Sequence, residues 1–174
     1  MVEYFLPIGN NALTCWPTYS PNRESFSISE LTVVRFRIYS FMKKQIDVVA
    51  AIIVRDNKIF AARRKPGIHL AGYWEFPGGK LEHGETPEQC LFRELQEELC
   101  ITTKIGRYIG ESLYDYGTKV IRLIAYQVEH IEGRFQLIDH DELRWLPVEE
   151  LGTVEWAPAD IPIVELYSAL NTIE

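Results

Sequence analysis

Gly78-Gly79-Lys80-Leu81-Glu82-His83-Gly84-Glu85-Thr86-Pro87, running on through Glu94-Leu95-Gln96-Glu97-Glu98-Leu99, decides how the rest of the chain reads. It is a glycine-rich loop feeding a short helix. Thr86 suits the N-cap, Pro87 the first helical position, and Gln89 completes a T-x-x-Q capping box. Leu91, Leu95 and Leu99 recur every four residues, with Phe92 beside them, and are expected to form a core-facing stripe. Glu94, Glu97 and Glu98 share another face, where like charges repel by roughly 0.2–0.5 kcal/mol per pair. A sequence selected only to fold would place Lys or Arg among them. The bland alternative is a solvated acidic face. The sharper one is that the face meets something positive, and hard divalent cations such as Mg2+ take carboxylate oxygens together with substrate phosphates.

The whole string resembles the Nudix box, G-x5-E-x7-R-E-U-x-E-E-x-G-U, where U is a bulky aliphatic residue. Gly79, Glu85, Arg93, Glu94, Leu95, Glu97, Glu98 and Ile101 fill it in register. One position departs: Cys100 stands where the family has glycine. A cysteine there either takes left-handed backbone geometry at about 1–2 kcal/mol or ends the helix differently. The resemblance implies a hydrolase that uses Mg2+, with Mn2+ as the alternative. It implies Glu94, Glu97, Glu98 and the Gly78 carbonyl as metal ligands, with Asp139 from a later acidic loop as a further ligand or base. Arg93, Glu94, Glu97 and Glu98 are the implied catalytic set, with Glu97 and Glu98 equally eligible as the base and Arg93 orienting a glutamate. Glu85 is expected to stabilise the loop–helix junction rather than the metal.

Composition bounds these expectations. The chain has 174 residues, 47% of them hydrophobic, enough for one domain with a real core. A net charge of −7 argues against binding nucleic acid through a basic surface. Cys15, Cys90 and Cys100 are odd in number and lack a CxxC pair, which points to a reducing, cytoplasmic setting. His69, His83, His130 and His140 lack metal-ligand spacing. No run of 18 apolar residues exists, so no membrane partner is expected.

Residues 1–41 are turn-rich and aperiodic, apart from Leu31 to Phe41, which reads as a strand. Met42-Lys43-Lys44 looks like a natural beginning, so 1–41 reads as a peripheral extension and 42–174 as the working domain. Ile46 to Val54 is a β-branched apolar run, expected to be a buried central strand, and Lys58 to Arg64 returns as a second. Arg63 and Arg64 are phosphate contacts or surface salt-bridge partners, the resemblance favouring Arg64. Trp74 and Phe76 are core candidates, Phe76 also a substrate contact. Lys104 to Tyr116 and Val120 to Val128 read as paired strands, with Lys119 near the turn as a further substrate contact or a solvated lysine. Asp139 to Glu142 reads as an acidic loop. Asp160 caps a C-terminal helix that runs to about Asn171.

Strands that mix with one loop–helix and a terminal helix imply an α/β fold, an α/β/α sandwich around a mixed β-sheet, and the Nudix resemblance agrees. The similarity runs from Met42 to the C-terminus. It is strongest to the MutT-type CTP pyrophosphohydrolase branch, which shares Trp74-Glu75-Phe76 and Ala157-Pro158-Ala159-Asp160-Ile161-Pro162. In that group the residue at Asp160 reads the base edge, and a carboxylate there accepts from an exocyclic amine. The implied activity is hydrolysis of nucleoside triphosphates, (d)CTP or an oxidised nucleotide among them, to the monophosphate and pyrophosphate, as nucleotide-pool housekeeping and DNA protection by a monomer or homodimer. The alternatives are hydrolysis of a nucleoside diphosphate derivative such as ADP-ribose, or a catalytically dead nucleotide-binding module.

Overall fold

The computed structural model describes residues 43–171. The expected Leu31–Phe41 strand, the 1–41 extension and Cys15 lie outside them. Among the described residues, seven strands and two α-helices follow in the order β1 (Lys44–Arg55), β2 (Lys58–Arg64), β3 (Trp74–Glu75), β4 (Gly78–Lys80), α1 (Pro87–Leu99), β5 (Thr102–Asp115), β6 (Lys119–Glu132), β7 (His140–Pro147) and α2 (Ile161–Asn171). A short 3-10 helix, Val148–Thr153, links β7 to the last segment.

The strand order is β3-β2-β1-β6-β5, with β4 also on β1 and β7 also on β2. β1 runs parallel to β6 from Lys44↔Lys119 to Ile53↔Val128. Its pairings with β2 and β4 are antiparallel, so the sheet is mixed. β1 is central because it is apolar on both faces, as its near-continuous Val/Ala/Ile run requires. Its alternate residues feed two cores. Val49, Ala51 and Ile53 pack with Leu91, Leu95 and Leu99 of α1. Ala50 and Ile52 pack with Ile163, Val164 and Tyr167 of α2. The result is the expected sandwich of helix, sheet and helix.

α1 begins as its sequence requires. Gln89 N–H donates to the Thr86 hydroxyl at 3.3 Å, and Thr86 N–H donates back to Gln89 Oε1 at 2.9 Å. It ends with Cys100 at φ 55°, ψ 37°, so the chain accepts left-handed strain at a non-glycine residue. Phe92 corrects the expected stripe: it is 47% exposed, and Cys90 is the buried residue flanking the leucines instead. The loop reading of Asp139–Glu142 is corrected too, since His140, Asp141 and Glu142 open β7.

Candidate active site

The glycine pair of the loop is placed by contact. Gly79 lies opposite Val49 and Gly78 opposite Ala50. A Cβ on Gly78 would overlap the Val49 carbonyl, and one on Gly79 would overlap the Glu94 carboxyl group. The sequence therefore needs glycine here so that Glu94 can lie directly against the loop. Cys90 closes the same junction from below, its thiol donating to the Lys80 carbonyl at 3.3 Å.

Arg93 knots the acidic residues together. Its Nε and Nη2 donate to the two oxygens of Glu85 at 2.9 and 3.0 Å, and Nη1 donates to Glu94 at 2.8 Å and Glu97 at 3.3 Å. The guanidinium bond holds the Glu85 carboxyl down to about 2, and the Glu82 N–H adds to it. Glu85 thus staples the loop to the helix, as expected. The three helix carboxylates then differ. Glu94 is only 14% exposed, while Glu97 is 61% exposed. Glu98 is half-buried, and its carboxyl is pushed up to about 8, first by burial and then by the negative charges of Glu75, Glu94 and Asp139.

Those causes locate a cluster. Asp139 comes from the segment that caps α1, where Gln136 and Ile138 N–H donate to the carbonyls of Leu99 and Glu98 at 3.0 and 3.4 Å. Lys65 pairs with Asp139 at 2.9 Å and holds its carboxyl below the usual range. Glu75 and His140 were not among the sequence candidates. Glu75 accepts from Arg64 Nη1 at 2.7 Å and from His140 Nε2 at 2.9 Å. A glutamate between two core aromatics, Trp74 and Phe76, was the available signal for Glu75.

Arg64 therefore sits in an ion pair inside the cluster, its Nε also donating to the His69 carbonyl at 2.6 Å. Arg63 points elsewhere and pairs with Asp141 and Glu142 at the surface. Asp160 is buried, and its Oδ1 accepts the Phe76 N–H at 3.0 Å. Its side chain does not cap α2; the Asp160 carbonyl takes the N–H groups of Ile163 and Val164. Burial raises the Asp160 carboxyl well above the ordinary range, opposed by the Phe76 bond and by Arg64. The Phe76 ring is core, 4.7 Å from Trp156, so Phe76 reaches the site through its backbone. Tyr116 stands close by, its hydroxyl accepting the Ala159 N–H at 3.3 Å and its ring 5.7 Å from that of His69. Lys119 starts β6 opposite Lys44, and its carbonyl accepts the Tyr116 N–H at 2.9 Å.

Among the described residues no three His, Cys, Asp or Glu side chains enclose a metal position. The donor chemistry nonetheless fits Mg2+. The oxygens are hard, and Glu98 is a desolvated carboxyl facing three like charges, an arrangement that a cation relieves. No described helix is long and apolar enough to cross a membrane.

Comparison with known proteins gives the same outline. Residues 44–167 match the family model described as NUDIX domain. The chain is 43% identical over 128 residues to a CTP pyrophosphohydrolase of Escherichia coli (strain K12), covering 74% of this chain and 95% of that protein. It is 37% identical over 123 residues to an 8-oxo-dGTP diphosphatase of the same strain, covering 71% and 95%. The solution structure of the E. coli ORF135 protein superposes with a TM-score of 0.69 at 42% identity, covering 76% of this chain and 94% of that one.

Proposed function

We propose, from the premise that this chain belongs to the Nudix hydrolase family, that it hydrolyses nucleoside triphosphates to the monophosphate and pyrophosphate with Mg2+. The observation that carries the reading is the loop–helix junction, where Gly79 packs against the Glu94 carboxyl group and Arg93 ties Glu94 and Glu97 to Glu85. Glu94, Glu97, Glu98, Asp139 and the Gly78 carbonyl are the groups that would hold the metal. Bound there, Mg2+ would polarise phosphoryl oxygens and lower the pKa of bound water.

The chain's own residues take the remaining roles. Glu98 is favoured over Glu97 as the group that receives the proton of the attacking water. Glu98 stands within the carboxylate cluster of Glu75, Glu94 and Asp139, where the attacking water would be held. Glu97 is largely in solvent and leans on Arg93. Arg93 fixes Glu94 against the loop, so that this carboxylate needs no reorganisation on binding. Arg64 and Lys119 contribute positive charge for phosphates.

Asp160 reads the base. Burial raises its carboxyl well above the ordinary range, opposed by the Phe76 N–H and by Arg64, and its oxygens offer an acceptor to a base edge. Cytosine presents the N4 amino donor that such an acceptor complements. The relatives named for CTP and for 8-oxo-dGTP support testing both as substrates.

The test is incubation with Mg2+ and each (d)NTP, 8-oxo-dGTP, ADP-ribose and a dinucleoside polyphosphate, with products resolved by ion-exchange chromatography. Monophosphate with pyrophosphate, and CTP or 8-oxo-dGTP preferred, is the expected result. Turnover of ADP-ribose alone, or of nothing, sinks the reading.

A further inference from the structure

His140 is a buried ring with one nitrogen employed and one idle. Its side chain is 1% exposed. Nε2 lies 2.9 Å from Glu75 Oε1, while Nδ1 is buried with no hydrogen-bond partner among the described residues. Glu75 already accepts from Arg64, and a carboxylate only accepts, so Nε2 carries the hydrogen between them. A buried polar atom left without a partner is uncommon and persists where something else fixes the group.

Three adjacent strands build this contact. Arg64 of β2 lies opposite His140 of β7, and Ala62, two residues back on the same face, lies opposite Glu75 of β3. The pairing of β2 with β7 slips between Arg63 and Arg64, so Arg63 meets Glu142 and Arg64 meets His140. Arg63 and Arg64 project to opposite faces, so the extra residue, Asp141, turns His140 inward although Glu142, two residues on, faces outward. A bulge that re-aims one side chain beside an active site is a placed feature rather than a defect. The beneficiary is Arg64. Its fork is held at Nε by the His69 carbonyl and at Nη1 by Glu75, and Nη2 has no hydrogen-bond partner among the described residues, which leaves that edge for a ligand.

We propose that His140 is a positioning residue for the substrate's phosphates. By donating from Nε2 it fixes the Glu75 carboxylate, and Glu75 in turn fixes the guanidinium of Arg64 that meets the polyphosphate. The inference rests on the proposed function in that it assigns Arg64 to phosphate binding.

The experiment is steady-state kinetics in Mg2+, with the triphosphate that the wild-type protein turns over best, on four single variants and the His140→Leu/Arg64→Ala double variant. His140→Leu removes the donor and keeps an apolar side chain. His140→Gln carries an amide nitrogen that reaches the Nε2 position, and His140→Asn carries one that falls short of it. Arg64→Ala removes the group acted upon. We expect His140→Leu to raise KM about tenfold while kcat changes less than about threefold, the pattern of lost binding that is equal in ground and transition states. We expect His140→Gln to return KM to within about threefold of wild type, and His140→Leu to add less than about twofold in the Arg64→Ala background. If His140→Leu does not fold, the Gln and Asn variants carry the test, with Gln near wild type and Asn raised about tenfold.

An unchanged KM, a Gln variant as poor as Leu or Asn, or an effect that persists in full without Arg64 overturns the proposal. A wild-type protein inactive on every nucleotide sinks the functional reading instead, so the two failures are distinguishable.

Discussion

Replacing Glu98 with glutamine should make the metal-free protein more stable at alkaline pH while removing its activity. The ordinary carboxyl value is 4.5, and in the fold it is pushed up to about 8. Below 4.5 the group is protonated in both native and unfolded states and contributes no pH dependence. Between 4.5 and about 8 the native state binds the proton more tightly, so stability falls as pH rises through that window. Above about 8 both states are ionised and the full penalty is present. At 1.36 kcal/mol per unit, the penalty reaches about 3 kcal/mol at pH 7 and about 4–5 kcal/mol above pH 8. Glutamine does not titrate, and the other raised carboxyl, Asp160, is common to both proteins. The assay is urea unfolding in EDTA, followed by tryptophan fluorescence at pH 5 and pH 8.5. The stability of Glu98→Gln relative to wild type should grow by about 4 kcal/mol between those two pH values. Adding Mg2+ should stabilise the wild type more than the variant, because a ligand bound only to the native state adds stability by mass action. A difference that stays flat between pH 5 and 8.5 would refute the placement of Glu98 among buried like charges.

Gly79→Ala should cost at least about a hundredfold in kcat, measured against nucleotide in Mg2+, because its methyl group would enter the space of the Glu94 carboxyl. Cys100→Gly should stabilise the protein by about 1 kcal/mol in chemical denaturation, since glycine relieves the left-handed strain at φ 55°. Asp160→Asn keeps an acceptor for the Phe76 N–H, so in chemical denaturation it should retain the stability that Asp160→Ala loses. Asp160→Ala should lose roughly tenfold or more in kcat/KM for the preferred base, and about 1–3 kcal/mol of stability from the orphaned N–H.

The parts of the site that were legible in the sequence are local ones. The capping box, the leucine repeat and the Arg93–glutamate run all follow from residues within one helix and its flanks, whereas the left-handed end at Cys100 was one of two open alternatives. Phe92 was misplaced because Cys90 and Phe92 stand symmetrically on either side of the Leu91 line. Which edge turns inward depends on the β4 backbone, whose Lys80 carbonyl meets the Cys90 thiol. His140 was hidden by the bulge at Asp141: strict alternation puts it on the same face as Glu142, which pairs at the surface with Arg63 and Arg144. Asp160 reads as a helix cap from sequence because its actual partner, the Phe76 N–H, is 84 positions away. Glu75 likewise needs Arg64 and His140 from neighbouring strands before its charge makes sense.

β1 sends its odd-numbered residues from Val49 to Ile53 to one core and the intervening pair to the other. Glu94, Glu97 and Glu98 of α1 belong to the first side, and Phe76, Trp156 and the start of α2 occupy the second. On the proposed assignment, substitutions confined to the second side would change which nucleobase is taken while the carboxylates across the strand keep their places.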